Sequence, residues 1–310
     1  MASTHIPPRP RPQDEPKAQT PAQGAPARNP TPKGPDVPHP SRPRLPLQAP
    51  HPNAQPPTTR LHEVVHVKPP HLAAYKHLCG FTDDPHTLPP TYPHVLAFPL
   101  AMRLMSARDF PLPLLGLVHT SIDITQHHAP HPTEALQLDV HVTQLAPHRR
   151  GTEATLTTEA RDTDGTLRWE SHSTYLARHK APTTRPEAPA AEPEPEPAPG
   201  TEWHLAPDLG RRYASVSGDR NPIHLHPLAA RPFGFPRAIA HGMWTAARCL
   251  AEHEPTRDAG PDARLHVHVD FKAPVLLPST VTYTPRGPAF ELRAAATGRL
   301  HLTGSSAVLP

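Results

Sequence analysis

The chain has 310 residues, 36% of them hydrophobic and 49 of them proline, with a formal net charge of +3. That length allows two domains of ordinary size, and so much proline implies long stretches outside any helix or sheet, because proline donates no backbone hydrogen bond. The basic residues are spread out, with no stripe interleaved with aromatics, so nucleic-acid binding is not expected.

Cys79 and Cys249 form neither a CxxC motif nor a disulfide framework, which favours a reducing compartment. Met1 to Asn29 contains no apolar core of a secretory signal. No apolar run reaches the ~18 residues that a membrane span needs. A cytoplasmic location without a membrane span is therefore expected.

In chain order, residues 1–60 contain eighteen prolines and read as a disordered tail. A first body follows over 61–180. Val95, Phe98, Met102 and Met105 recur on one helical face, with Pro99 predicting a kink or a late start. Leu136–Val142 alternates apolar and polar residues as a strand does, and Thr152–Arg161 and Leu167–Arg178 flank the turn signal Asp164-Gly165. Residues 181–200 are rich in Pro, Glu and Ala and read as a semi-stiff linker. The second body, 201–310, repeats the layout. Ile239, Met243, Ala247 and Leu250 predict a helix over Ala238–Glu252. Leu265–Lys272, Val275–Tyr283, Phe290–Thr297 and Leu300–Val308 read as strands, with a hairpin at Thr297-Gly298-Arg299. One helix followed by a meander of strands, given twice, predicts an α+β fold in which a sheet wraps each helix.

The chemistry concentrates in the second body. Ser217-Gly218-Asp219 followed by Asn221-Pro222 is turn sequence, since Gly allows unusual φ and Asn before Pro avoids the helical region. Such a turn can present Asp219 and His224 to one point, where a carboxylate and an imidazole share a water and move protons between two atoms. Gly242 falls near the start of the predicted helix, where a backbone N–H can donate to a developing oxyanion. Taken singly, each residue has a plainer role. Asp219 suits an Asx turn, His224 is one of 25 histidines, and Gly242 suits close helix packing. The combination is far more specific than any one of them.

The run Tyr213-Ala-Ser-Val-Ser-Gly-Asp219-Arg-Asn221-Pro222-Ile-His224, then Gly234-Phe235, then Ile239-Ala-His241-Gly242-Met243, resembles the hydratase 2 motif of the MaoC-like dehydratase family. Phe271-Lys-Ala-Pro274 resembles the strand that follows it. Cys79-Gly-Phe81, Leu88–His94 and Phe110–His119 resemble the degenerate N-terminal repeat of double-domain members, without an Asp-x-Asn-Pro-x-His. The resemblance implies two hot-dog domains in one chain, arranged as a pseudo-dimer with a single active site. It implies reversible syn addition of water to a trans-2-enoyl thioester, giving the (R)-3-hydroxyacyl thioester. Asp219 and His224 match the family's catalytic residues. The Gly242 N–H would polarise the thioester carbonyl, and Ser217, Gly218, Asn221, Pro222 and His241 would shape the site. The substrate would be an acyl-CoA or acyl-carrier-protein thioester, with no cofactor and no metal, and chains could pair further as homo-oligomers. His226 stands where the family commonly has an acidic residue.

Two other classes compete. His224, His226, His241 and the pair His266/His268 could suggest zinc, but no carboxylate or cysteine set in the sequence completes a site. A hot-dog thioesterase or a non-catalytic acyl-thioester-binding module would not need the complete Asp-x-Asn-Pro-x-His. The reading of residues 1–60 as a spacer predicts that a chain lacking them keeps its fold and its turnover. A folded but inactive truncation would refute it.

Overall fold

The computed structural model describes residues 54–179, 200–260 and 262–310, all within one unit spanning residues 46–310. Residues 1–53 of the predicted tail and 181–199 of the predicted linker lie outside the described residues.

The first half runs β1 (Arg60–His66), α1 (Pro69–Cys79), α2 (Tyr92–Met105), β2 (Val118–Gln126), β3 (Ala135–His148), β4 (Gly151–Arg161) and β5 (Leu167–Arg178). The second runs β6 (Thr201–Leu205), α3 (Leu209–Ser217), α4 (Pro222–Leu225), α5 (Pro227–Ala230), α6 (Gly242–Glu252), α7 (Glu254–Arg257), β7 (Arg264–Phe271), β8 (Ser279–Arg286), β9 (Ala289–Ala294) and β10 (Leu300–Leu309). Among the described residues the strands form one antiparallel sheet in the order β1-β3-β4-β5-β2-β7-β10-β9-β8-β6. Read outward from its centre, this gives β2-β5-β4-β3-β1 on one side and β7-β10-β9-β8-β6 on the other. Each strand of the second half thus repeats the place of the strand five earlier. The halves join edge to edge through β2 and β7, from Ser121↔Asp270 to Gln126↔Leu265.

The seam alternates faces as a strand must. Ile122, Ile124, Val267 and Val269 turn inward and are at most 1% exposed. Asp123, His266, His268 and Asp270 turn outward, where His268 Nδ1 meets an Asp123 carboxylate oxygen at 2.8 Å. Each half wraps its sheet around one helix. α2 buries Tyr92, Val95, Ala97, Leu100 and Leu104, and α6 buries Met243, Trp244, Ala247, Cys249 and Leu250. This is the hot-dog arrangement, met twice.

The shorter helices repeat the symmetry. α1 carries Tyr75 and ends on Gly80, and α3 carries Tyr213 and ends on Gly218, the same five-residue step (80−75 and 218−213). Both glycines adopt the left-handed conformation, φ 81° and 75°, that closes a helix C-terminus. The two tyrosine rings meet at 6.3 Å. A Cβ on Gly218 would meet Phe98 of α2 at 3.9 Å, and one on Gly80 would meet Arg248 of α6 at 2.9 Å. Phe98 and Arg248 each stand six residues past the first residue of their helix (98−92 and 248−242). Each half therefore sets its glycine cap against the long helix of the other.

Three expectations need correction. α2 starts at Tyr92 and runs through Pro99, whose ring is exposed. There is no late start, because the proline sits where its ring meets solvent instead of core. Phe98 and Met102 are half-buried, and the most buried face is that of Ala97, Leu100, Ala101 and Leu104. In the second half, the helix begins at Gly242, not Ala238, and β8 begins at Ser279, not Val275. The two departures share a cause. The 238–240 backbone pairs with Val275–Leu277, through Ala240 N–H to the Val275 carbonyl and Leu277 N–H to the Ala238 carbonyl, both 2.8 Å. Backbone groups satisfied in that way are lost to a helix.

The first half also buries polar rings. His94 on α2 is 8% exposed and lies 6.0 Å from the ring of His119 on β2. His119 stacks at 4.6 Å on Tyr175 and reaches Phe271 of the second half at 4.9 Å. Burial lowers the pKa of His94 to about 4 and, helped by His94, that of His119 to about 3.

Two predictions follow from this packing. Ile122→Ala should cost about 2–5 kcal/mol of unfolding free energy, because it opens a cavity where the two halves meet. Urea denaturation checks this, and a loss below ~0.5 kcal/mol, the scale of a surface change, would show that the seam does not depend on it. The second concerns acid. The unfolded chain protonates these histidines near pH ~6.5, whereas the folded chain resists until the lower pKa values are reached. Stability is thus complete above about pH 6.5 and falls as the pH drops toward about 4. His94→Leu should flatten that fall in denaturation midpoints measured between pH 7 and 5, and an unchanged slope would assign the loss to other groups.

Candidate active site

The α3–α4 connection is built from side chains that satisfy their own backbone. Gly218 turns the chain out of α3, and Ser217 Oγ accepts the Asp219 N–H at 3.2 Å. Asp219 Oδ1 accepts the Asn221 N–H at 3.0 Å. Asn221 caps α4 through the Ile223 N–H at 3.4 Å, and Pro222 follows as the first helical residue. A proline there forfeits no hydrogen bond, since the first N–H groups of a helix lack partners anyway. These links fix the chain from Ser217 to Ile223 so that Asp219 and His224 turn to one side.

His224 is 9% exposed, and its Nδ1 donates to the Ile239 carbonyl at 2.9 Å. A carbonyl can only accept, so Nδ1 carries the proton and the neutral ring keeps its lone pair on Nε2. His241, at 2% side-chain exposure, uses Nε2–H to reach the Asp219 backbone oxygen at 3.0 Å. Its ring stacks on His224 with centroids 3.7 Å apart and planes 25° from parallel. One carboxylate oxygen of Asp219 and one ring nitrogen of each histidine lie within 4.8 Å of one another. Such a spacing lets one water bridge carboxylate and imidazole, two hydrogen bonds of ~2.8 Å each.

The electrostatics follow from the enclosure. Burial lowers the His224 pKa, and the Asp219 charge and the Ile239 hydrogen bond partly restore it. Burial lowers that of His241 further, and His224 adds to the effect. Both rings are thereby kept neutral. The Asp219 side chain remains 27% exposed, open to water and ligand.

Gly242 is the first residue of α6, so its N–H points off the helix N-terminus without an intrahelical partner. The ring of Phe271 lies over it, and a Cβ at this position would meet Phe271 Cε1 at 3.1 Å. A glycine here admits both the ring and a close ligand atom. The first half supplies further wall. Phe98 abuts Gly218, Tyr175 is close enough for Asp219 to raise its pKa after burial does, and His119 leans on Phe271.

All eight residues singled out from the sequence fall in this one region. His226 stands apart as an exposed cap of α5, its Nδ1 accepting the Leu228 N–H at 3.2 Å. Four further contributors stand outside that set. The Ile239 carbonyl, which sets the tautomer, is a backbone group and leaves no trace in residue identity. Phe271 was read as an alternating strand residue, and Tyr175 and Phe98 arrive from the other half. The zinc reading is also informed. Asp219 does join His224 and His241, but imidazole lone pairs lie in the ring plane, and two nearly parallel stacked rings do not converge on one ion. His266 and His268 sit on the outer face of the seam, away from this group.

Residues 184–285 match the family model described as a MaoC like domain. The chain is 37% identical over 248 residues to 3-hydroxyacyl-thioester dehydratase X of Mycobacterium tuberculosis, which covers 78% of this chain and 86% of that one. A crystal structure of HtdX of M. tuberculosis superposes with a TM-score of 0.70 at 33% identity, over 81% of this chain and 100% of that one. A MaoC-like dehydratase from Phytophthora capsici shares the fold, with a TM-score of 0.64 at 18% identity, over 83% of this chain and 96% of that one. With a motif complete in order, a relative of this closeness and the fold shared along most of the chain, the protein belongs to the MaoC-like dehydratase family of hydro-lyases.

Proposed function

We propose that this protein adds water reversibly to trans-2-enoyl thioesters, forming (R)-3-hydroxyacyl thioesters, with Asp219 and His224 as the catalytic pair. The observation that carries the reading is the Ile239 carbonyl on His224 Nδ1, which leaves a neutral Nε2 as a base beside the Asp219 carboxylate. Water held between the two loses a proton as its oxygen bonds to Cβ. The electron pair of the double bond moves towards the thioester carbonyl, and the Gly242 N–H, at the positive end of α6, stabilises the resulting enolate oxygen. A proton is then delivered to Cα. Both groups stand on one side of the substrate, so the additions are syn. Dehydration runs the same steps backwards.

His241 acts on position. It ties its ring to the Asp219 backbone and presses it on His224, so the two catalytic groups share one support. Ser217, Gly218, Asn221 and Pro222 shape the connecting turn. The substrate is proposed to be an acyl thioester of coenzyme A or of an acyl-carrier protein. No helix of the described residues is long and apolar enough to cross a membrane.

Loss of enoyl absorbance on mixing with crotonyl-CoA and a longer trans-2-enoyl-CoA, with chiral analysis of the product, tests the reaction. Asp219→Asn and His224→Ala should each lower kcat at least ~100-fold, the scale of losing a positioned acid or base. Asn at 219 keeps the oxygen that accepts the Asn221 N–H, so the turn should survive. Near-normal turnover in both variants would overturn the assignment.

A further inference from the structure

The two-fold repeat of the fold places a counterpart of the active site at the other end of the seam. Gly80 matches Gly218 as the cap of the preceding helix, so Phe81 takes the place of Asp219. Thr91 and Tyr92 open α2 where His241 and Gly242 open α6. No carboxylate, no histidine and no glycine occupies these three positions, so this copy lacks the means for hydration.

The space is nevertheless kept. A cavity of about 90 Å³ is lined by Lys76, Phe81, Leu88, Pro89, Gln126 and Leu265, among others. Its β-strand lining, Gln126 and Leu265, is the last pair of the seam, at the opposite end from Phe271 and His119. Seven residue steps along β2, from His119 to Gln126, at about 3.3 Å each put it about 23 Å from the catalytic end.

Two of its walls are polar and buried. Lys76 is 4% exposed, and among the described residues its ammonium has one hydrogen bond, to the backbone oxygen of Asp84. An ammonium has three donors and no acceptor, so two remain for something else. The Asp84 carboxylate is already engaged by Thr87 Oγ1 and the His86 N–H. Burial pulls the Lys76 pKa down, and Asp84 and Asp83 push it back up. Gln126 is 5% exposed, and its Oε1 is buried without a partner. Its Nε2 has no hydrogen bond among the described residues and is a second donor in the cavity lining. Burying such groups without partners is costly, and a ligand that supplies acceptors removes the cost.

We infer that this degenerate copy of the active site is a binding site for a short-chain organic carboxylate, whose two oxygens meet the Lys76 ammonium and the Gln126 amide. Phe81, Leu88, Pro89 and Leu265 give the cavity an apolar side that suits a short hydrocarbon tail, which phosphate lacks, while Asp84, Thr87 and Arg257 line its polar side. The inference does not depend on the reaction proposed for the other site.

Titration calorimetry of the full chain tests it, with sodium butyrate as probe, n-butanol as its neutral counterpart and inorganic phosphate as a bare anion, at constant ionic strength. Butyrate should bind saturably and the other two should not. Lys76→Met, which keeps side-chain volume, should weaken butyrate at least ~10-fold, equivalent to losing one charge-assisted hydrogen bond. Gln126→Leu should weaken it as well, and serves if the lysine variant does not fold. Asp219→Asn should leave it unchanged. Absence of saturable butyrate binding, equal binding of phosphate or butanol, or binding lost in Asp219→Asn but kept in Lys76→Met would each overturn the inference.

Discussion

The antiparallel ladder between β2 and β7 decides what either half can do. It satisfies the inner edges of both sheets, which would otherwise present unpaired backbone groups. It also sets the register at which the halves face each other. With Ile122 opposite Val269 and Ile124 opposite Val267, the apolar residues of both strands fall on the same face and close over a shared core. A slip of one residue would turn that face outward and bring the outward charges inward. The same register brings Phe271 beside His119 at one end and Leu265 beside Gln126 at the other.

Because the halves meet edge to edge, each site is composite. The Asp219–His224 turn belongs to the second half, but its surroundings do not. Phe98 supports the glycine cap, and Tyr175 and His119 complete the wall around Phe271. The first half is therefore more than a remnant. It supplies aromatic side chains around the Asp219 turn and Phe271. Acid should then act on the site and on the core by one route, since His94, His119, His224 and His241 all owe their lowered pKa values first to burial.

The asymmetry between the copies is one of side chains on a common backbone. Both helices α1 and α3 end on a left-handed glycine, and both are followed by a long buried helix. What differs is Phe81 against Asp219 and Tyr92 against Gly242. A phenyl ring cannot move protons, and a tyrosine at the helix start lacks the close backbone approach that a glycine allows.

The sequence by itself determined the elements with strong local causes. The alternation in Leu265–Phe271 and Leu136–Val142 gave β7 and part of β3. The glycine turns at Gly165 and Gly298 adopt the positive φ that only glycine takes readily. The motif around Asp219 was legible because residues two positions apart cap one another, a purely local matter. Tertiary structure decided the rest. Ala238–Ala240 falls within the helical spacing but finds backbone partners in Val275–Leu277, which no local pattern announces. The tautomer of His224 depends on a carbonyl fifteen residues away, and the walls of the site come from the other half of the chain. Such contacts depend on register and distance between elements far apart in sequence, so they exist only once the two sheets have joined.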